Sequence, residues 1–265
     1  MTGIRVTHIG GPTVVIDTQG WRILTDPTFD PPGRTYKFGW GSKSTKLSGP
    51  ALAPEDLGPI DAILLSHDHH GDNLDDAGRA LLAVAPIVLT TKSGARRLGS
   101  GVRGLNRWDV TRLEAQGKPT IDVTATPCRH GPPLSRPIVG DVIGFALRWD
   151  GQRNGVVWVS GDSVLYKGVR EIADRLNVDI AILHLGEVQF PITGPVRYSM
   201  TAHDAVQLCR TLRPRVAIPV HYEGWSHFHE GREAIEREIS HLPGELGDVF
   251  RLLPRGEPVE VGVQF

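Results

Sequence analysis

A short buried strand that runs directly into histidines and carboxylates is the feature that most constrains this sequence. The apolar run 62–65 (Ala-Ile-Leu-Leu) is followed at positions 66–75 by Ser-His-Asp-His-His-Gly-Asp-Asn-Leu-Asp. A strand that ends in this way holds several metal-binding side chains on one edge. Imidazoles and carboxylates without a thiolate suit Zn²⁺, Mn²⁺ or Fe²⁺ in a site that keeps one position open for water. The alternative is a solvated loop that is merely rich in histidine.

Three further predicted strands also run into residues that could bind a metal. They lie within residues 121–127, 156–160 and 216–220, and the residues that follow them are His130, Asp162 and His221. Functional sites in open α/β sheets collect at the carboxyl ends of strands, so these strand ends predict one common site. A single histidine in such a place is more often structural. The agreement of four strand ends is what favours a metal centre.

The order and spacing of these residues resemble the metallo-β-lactamase superfamily. Its hydrolases carry a His-x-His-x-Asp-His motif, followed by a His, a bridging Asp and a last His. The likeness extends from about residue 4 to residue 228. A narrower similarity is to the branch that contains the ascorbate-phosphate lactonases and the N-acyl-phosphatidylethanolamine phospholipase D enzymes. It is carried by the segments 24–27 (Leu-Thr-Asp-Pro), 126–130 (Thr-Pro-Cys-Arg-His), 161–163 (Gly-Asp-Ser) and 218–222 (Ile-Pro-Val-His-Tyr).

The resemblance implies an α/β fold of the αββα type, a four-layer sandwich with the metals at one edge of two packed sheets. Periodicity alone indicates an α/β arrangement and does not separate this sandwich from a doubly wound sheet. We expect one domain over residues 1–265, because α/β chains of this length often form one domain and no linker interrupts the sequence.

The periodicity also predicts the individual elements. Strands are predicted at 4–9, 13–18, 21–25, 62–65, 87–90, 120–126, 142–149, 155–160, 180–184, 216–220, 248–252 and 259–263. Helices are predicted at 75–84, 93–98, 169–176, 201–212 and 232–240, with Ser93 and Thr201 as N-caps. The stretches 29–46 and 186–200 read as irregular loops, either lids or surface packing.

The resemblance further implies two divalent metal ions, with Zn²⁺ favoured over Mn²⁺ and Fe²⁺. The implied metal ligands are His67, His69, Asp72, His130, Asp162 and His221. The first three histidines in this set would hold one metal, the last histidine and Asp72 the other, and Asp162 would bridge them.

Three carboxylates are the implied catalytic residues. Asp72 and Asp162 act through the metals, and Asp68 is the usual superfamily residue for orienting a ligand imidazole or handling a proton. Asp26 is a further candidate for supporting the ligands, with a simple turn residue as its alternative. Residues 222, 225, 227 and 228 follow the last ligand and could line the pocket, while the roles of His70, His184 and Cys128 stay open.

The chain departs from the superfamily motif at the second metal. Relatives commonly read His-Asp-His-Tyr-Asp-His-Leu-Asp, and this chain is one residue longer in that segment. If Gly71 is the extra residue, Asn73 takes the place of a ligand histidine. If the alignment has no gap, Asp72 takes that place. Either alignment removes an imidazole from the second site, and an amide oxygen is a weaker ligand for Zn²⁺. Alternation of side-chain direction argues against His70 as the substitute.

Composition argues against several other classes of protein. The chain has 29 basic and 30 acidic residues and no basic stripe, which argues against nucleic acid as a partner. Two cysteines do not form a disulfide framework, and no stretch approaches the ~18 apolar residues of a membrane span. The N-terminus lacks the pattern of a signal peptide. We expect a cytoplasmic protein that acts on a small molecule, and the sequence leaves a homo-oligomer open.

Metal-activated water is the nucleophile that the sequence supports best, because it contains neither a Gly-x-Ser-x-Gly elbow nor a phosphate-binding loop. The leading hypothesis is a metal-dependent hydrolase that cleaves a lactone, amide or phosphodiester bond of a small soluble substrate. The alternatives are an iron-dependent oxidoreductase of the same fold and a metal-binding, non-catalytic protein. The sequence does not identify the substrate or the metal.

Overall fold

Fifteen strands and eight short helices make up the protein, seen in a computed structural model that describes residues 3–263. The strands are β1 (Gly3–Gly10), β2 (Thr13–Thr18), β3 (Trp21–Thr25), β4 (Thr35–Gly39), β5 (Ser42–Thr45), β6 (Ala62–Leu64), β7 (Ile87–Thr91), β8 (Val102–Leu105), β9 (Val110–Leu113), β10 (Ile121–Pro127), β11 (Ile143–Trp149), β12 (Val156–Val159), β13 (Val178–His184), β14 (Val216–Val220) and β15 (Pro258–Val263). The helices are α1 (Asp76–Leu82), α2 (Lys92–Leu98), α3 (Arg136–Val139), α4 (Lys167–Arg170), α5 (Ile172–Arg175), α6 (Ala202–Leu212), α7 (Arg232–Ser240) and α8 (Gly244–Gly247), with 3₁₀ turns at Pro54–Leu57 and Pro191–Thr193.

Thirteen of these strands form two mixed sheets. The first sheet has the order β15-β1-β2-β3-β6-β7-β8, and the second has the order β14-β13-β12-β11-β10-β9. Strands β3, β6, β7 and β8 are parallel to one another, as are β12, β13 and β14. The other pairs within the two sheets are antiparallel. Strands β4 and β5 form a separate antiparallel hairpin.

The continuous apolar run of β6 shows how the layers are built. Ala62 and Leu64 belong to the core between the two sheets, together with Phe145 of the second sheet. Ile63 and Leu65 face the other way, into a cluster that includes residues of α1 and α2. A strand covered on both faces needs no polar alternation, which is why this run is entirely hydrophobic.

Helices cover the outer face of the second sheet in the same way. Trp158 of β12 and Leu183 of β13 pack in one cluster with Leu208 of α6 and Ile235 of α7. The layers therefore follow the order α, β, β, α, as predicted. The predicted single domain of residues 1–265 includes four residues, at positions 1, 2, 264 and 265, that lie outside the described part. Within residues 3–263, no helix has the length and apolar character that crossing a bilayer requires.

Strand direction brings the predicted ligands to one edge. Strand β10 is antiparallel to β11, and β11 is antiparallel to β12, so β10, β12, β13 and β14 all point the same way. The first sheet meets them at this edge, where Ile143 N donates to Ser66 O at 3.2 Å. The segments after β6, β10, β12 and β14 are thus neighbours in space.

A buried ion pair attaches the β4–β5 hairpin to the rest of the fold. Lys46 Nζ lies 2.8 Å from Asp75 Oδ2, and the exposed fractions of the two side chains are 3% and 0%. Asp75 is also the N-cap of α1 and accepts from the backbone nitrogens of Phe29, Asp30 and Gly78. This carboxylate therefore links three segments, which are residues 29–30, Lys46 after the hairpin and the start of α1.

We expect Asp75→Ala to destabilise the protein by about 3–5 kcal/mol, because it leaves the Lys46 ammonium buried without a counterion. Lys46→Met should cost less, since the carboxylate keeps three backbone donors. The exposed pair Arg232–Glu236 is the control, and Glu236→Ala should cost under about 1 kcal/mol. Urea unfolding measures all three. Equal losses for Asp75→Ala and Glu236→Ala would show that the buried pair does not stabilise the hairpin.

Candidate metal centre

Two groups of buried side chains meet at the common edge of the sheets. In each group the ligand atoms lie within 4.8 Å of one another. The first group is His67, His70 and His130, and the second is Asp72, Asp162 and His221. Five of the six predicted ligands are therefore brought together as two adjacent sets of three, and His70 stands where His69 was expected.

The first group consists of three imidazoles whose nitrogens face one point. His70 Nδ1 lies 3.2 Å from His67 Nε2 and 3.2 Å from His130 Nε2. His130 Nδ1 donates to the carbonyl oxygen of Tyr198 at 2.6 Å, which leaves its Nε2 lone pair directed at the group. Burial, and then the charge of the neighbouring histidines, lowers the pKa of His70 to about 3 and that of His67 well below its ordinary value. Neutral imidazoles are the form that binds a metal.

His69 lies outside both groups. Its Nδ1 is 3.4 Å from Arg97 Nη2 and 3.6 Å from Asp68 Oδ1, and a quarter of its side chain is exposed. The alternation used against His70 holds only for extended backbone, and β6 has already ended at Leu64. The following segment forms turns, in which Asn73 N and Leu74 N both donate to His70 O. A residue three positions after His67 can therefore face the same point.

Asp68 is held away from the two groups by an arginine. Arg97 donates to both of its carboxylate oxygens, at 2.8 and 2.6 Å. Burial raises the pKa of Asp68, but the hydrogen bonds and charge of Arg97 outweigh burial and hold it below the ordinary value. The predicted contact of Asp68 with a ligand imidazole is not observed, because the histidine beside it is His69.

The second group combines two carboxylates with one imidazole. His221 Nε2 lies 3.4 Å from Asp72 Oδ2 and 3.4 Å from Asp162 Oδ2. Burial lowers the pKa of His221, but the two carboxylates outweigh burial and raise it to about 9. Protonated His221 is thus a cation between the two carboxylates, and a metal ion that binds there would have to displace this proton.

Unpartnered atoms show that this group fits a metal ion. Asp162 Oδ1 is buried and has no hydrogen-bond partner among the described residues, and His221 Nε2, although 3.4 Å from two carboxylate oxygens, makes no hydrogen bond with either. Buried polar atoms are almost always paired, so each orphan requires an explanation. Carboxylate oxygen and imidazole nitrogen are ordinary ligands of Zn²⁺, Mn²⁺ and Fe²⁺, and one cation would satisfy both atoms.

Asn73 is one of the two residues, with Asp72, that could stand where an imidazole was expected. The end of its amide group lies 3.2 Å from Asp72 Oδ1 and 3.2 Å from Asp162 Oδ2, and both carboxylates are satisfied when the nitrogen is the atom placed there. The side chain is fully buried. Asn73 is therefore a hydrogen-bond donor to the two acidic ligands in this arrangement, and its oxygen is turned away from them.

His227 is a site residue that sequence reasoning recognised only as pocket wall. Its Nε2 lies 3.0 Å from Asp72 Oδ2, and its Nδ1 bonds to Ser44 Oγ of the β4–β5 hairpin. The ring is buried and stacks on Phe190 at 5.2 Å between centroids. The indication of this role in the sequence is the position of His227, six residues after His221. Its contact with Ser44 joins segments far apart in the chain and could not be predicted.

A buried Asp–His pair supports the loop that carries the first ligand. Asp26 Oδ1 accepts from Ser66 N at 2.6 Å, and Asp26 Oδ2 lies 3.2 Å from His184 Nε2. Burial raises the pKa of Asp26 above its ordinary value. Both Asp26 (φ 35°) and His221 (φ 58°) adopt the left-handed conformation, which is costly for residues other than glycine.

Cys128 is a structural neighbour of the centre. Its thiol donates to the carbonyl oxygen of Asp162 at 2.9 Å. Burial and the nearby Asp162 charge raise the pKa of this thiol well above its ordinary value. Cys128 therefore stays protonated and helps to fix the turn that carries Asp162.

Aromatic side chains close the site from the hairpin side. Phe38 packs against His70, with 5.2 Å between ring centroids, and Phe190 and Tyr198 line the same small apolar cavity. The cavity has a volume of about 20 Å³, which is room for about one water molecule. The stretch 29–46, predicted as an irregular loop, contains the β4–β5 hairpin and covers the centre.

Comparison with known proteins identifies the family. A family model described as a beta-lactamase superfamily domain matches residues 21–222. The chain belongs to the beta-lactamase superfamily. A UPF0173 metal-dependent hydrolase from Pyrococcus furiosus is 26% identical to it over 97% of this chain and 100% of the relative.

Solved structures share the fold. An isothiocyanate hydrolase from Delia radicum gut bacteria has a TM-score of 0.78 and 18% identity over 97% of this chain and 99% of its own. A possible metal-dependent hydrolase from Veillonella parvula has a TM-score of 0.78 and 19% identity over 98% and 100%. The predicted superfamily, fold and enzyme class, a metal-dependent hydrolase, are confirmed. The narrower branch stays a prediction.

Replacing His70 should therefore affect metal binding, and replacing His69 should not. We expect His70→Ala to weaken metal binding by more than about 100-fold, since even residues that only support ligands contribute 10–100-fold. His69→Ala should retain its metal, because this side chain contacts Arg97 and Asp68 instead. Metal content after dialysis, together with the visible spectrum of the Co²⁺-substituted protein, measures both. Loss of metal from His69→Ala with retention by His70→Ala would reverse the assignment.

Proposed function

We propose that this metal-dependent hydrolase holds two divalent ions, one in each group of ligands, and uses them to activate water. The observation that carries the proposal is the pair of adjacent buried groups, the second of which has orphaned ligand atoms. When bound, such cations lower the pKa of water to about 7 and polarise an acyl or phosphoryl oxygen. His67, His70 and His130 would hold the first ion.

The second ion would be held mainly by carboxylates. Asp72, His221 and Asp162 would hold it, and Asp162 would be shared with the first ion, since its Oδ1 has no hydrogen-bond partner among the described residues. Asn73 faces both acidic ligands, and His227 Nε2 lies 3.0 Å from Asp72 Oδ2, so both side chains would support these carboxylates. The aromatic cover of Phe38 excludes bulk water, which strengthens every electrostatic interaction inside.

The bond to be cleaved is proposed to be a lactone, amide or phosphodiester bond of a small molecule. The support is that cations held by these two groups would polarise an acyl or phosphoryl oxygen and activate water beside it. Imidazole and carboxylate ligands suit Zn²⁺, Mn²⁺ and Fe²⁺. Of these three ions we favour Zn²⁺ and keep Mn²⁺ and Fe²⁺ as alternatives. A cytoplasmic location agrees with two cysteines that are both free.

A substrate screen with metal analysis tests the proposal. Lactones, phosphodiesters and N-acyl compounds are offered to protein loaded with Zn²⁺ or Mn²⁺, and hydrolysis of one class with either ion is expected. Iron in the purified protein, with oxygen consumption and no hydrolysis, would favour an oxidoreductase of the same fold. Two bound ions and no turnover on any class would favour a non-catalytic metal-binding protein.

Asp162→Asn tests water activation directly. Asn retains the shape but loses the charge and one good ligand oxygen, so turnover should fall by at least ~10²-fold, a barrier increase of roughly 2.7 kcal/mol. KM should change less. The matched control is Asp179→Asn, a buried carboxylate paired with Arg215 outside the site. Normal kcat for Asp162→Asn, in a protein that retains both ions, would exclude a bridged metal pair.

The second ion should be bound more weakly than the first, because Asn73 replaces an imidazole. A chelator should then remove one equivalent well before the other, and Asn73→His should tighten the labile one. Asn73→Ala is the control, since it removes the hydrogen bonds to Asp72 and Asp162 without adding a ligand. Release of both ions together, unchanged by Asn73→His, would contradict this view of the second site.

A further inference from the structure

A second, larger cavity lies against the metal centre and shares His130 with it. Its volume is about 450 Å³, within the ~300–1,000 Å³ usual for small-molecule sites. His130 and Val139 line both this cavity and the small apolar one beside the ligands. A ligand in the larger cavity would therefore sit next to a metal-binding histidine.

The walls of this cavity are strongly basic. Four cationic side chains line it, and they are Lys92, Arg107, Arg129 and Arg136. The lining residues include one carboxylate, Asp141, which pairs with Arg136. Within residues 3–263, no carboxylate lies within ion-pair distance of the other three. We call the cavity that these four cationic side chains line the basic cavity.

Arg129 is held at both its backbone and its side chain. Its backbone N donates to Ser163 Oγ at 3.1 Å, and its carbonyl oxygen accepts from Val164 N at 2.9 Å. Its guanidinium lies over the ring of Tyr166, 4.5 Å from the centroid. The backbone position is fixed by the same turn that presents the neighbouring ligand His130.

Arg129 also has a donor that nothing satisfies. Its Nε is buried and lacks a hydrogen-bond partner in the described part of the chain. Leaving a buried charged donor unpaired is costly, so an acceptor is expected. Stacking on Tyr166 neutralises no charge and supplies no acceptor for this N–H. An anion in the basic cavity would supply both.

We propose that the basic cavity binds an anionic group of the substrate, a carboxylate or a phosphate. Arg129 makes the principal contact, because a guanidinium binds both groups through paired, charge-assisted hydrogen bonds. Lys92 and Arg107, which are exposed, add attraction at longer range. The inference rests on the proposed function and narrows it: the substrate is a small organic anion whose labile bond lies close to its charged group.

Titration calorimetry on the metal-loaded protein tests the subsite with inorganic phosphate and with acetate as probes. Arg129→Gln should weaken binding of the preferred anion by at least about tenfold, and Arg129→Lys should weaken it less. Arg210→Gln is the matched control, because Arg210 is exposed on α6 and lies outside the basic cavity. Preference for one probe identifies which anionic group the cavity takes. Unchanged affinity for both anions in Arg129→Gln would show that they bind at the metals alone and would overturn the proposal.

Metal content and unfolding curves, measured on the same samples, separate this proposal from the proposed function. Loss of anion binding in Arg129→Gln, in a protein that holds its ions yet hydrolyses nothing, would keep the subsite and reject the hydrolase. Once a substrate is known, Arg129→Gln should lower kcat/KM for its anionic form at least about tenfold more than for a neutral analogue. An equal loss for both forms would reject the subsite and leave the hydrolase standing.

Discussion

Carboxylates buried where two sheets meet are the constraint on which the rest of the site depends. Asp26, Asp72 and Asp162 are almost completely inaccessible, and a buried charge is tolerated only when it is paired. Histidines and amide donors surround them for this reason. His184 faces Asp26, while His221 stands between the other two carboxylates. A cation bound there would stabilise the folded state as well as the chemistry, because the unfolded chain has no such site.

The pairing of a buried charge also joins the β4–β5 hairpin to the metal centre. Lys46 is buried against Asp75, and the hairpin just before it places Phe38 on His70 and Ser44 on His227. The cover over the ligands is thus fixed by an ion pair outside them. The stability of the hairpin and the closure of the site are coupled, because the segment that Lys46 anchors carries both Phe38 and Ser44.

Parts of this arrangement followed from sequence because they depend on local rules. The strand ends before His130, Asp162 and His221 were correct, and Thr201 forms the predicted N-cap of α6, completed by a capping box. Errors arose where backbone geometry or distant contacts decide. The cap of α2 is Thr91 instead of Ser93, and the predicted strand 248–252 makes only the isolated bridge between Ala217 and Phe250. The predicted helix 169–176 is divided into α4 and α5 around Glu171.

The position of His70 beside His67 and His130, where His69 was expected, depends on the same kind of backbone geometry. One added residue in a strand would reverse every later side chain, but one added residue in a turn is absorbed locally. His67 and His70 thus stay on one side, and Asp72 still reaches the second group. The two groups then differ in chemistry, with three neutral imidazoles in one and two carboxylates with one imidazole in the other. Since oxygen ligands suit harder cations than nitrogen ligands do, a single kind of ion does not satisfy both groups equally well.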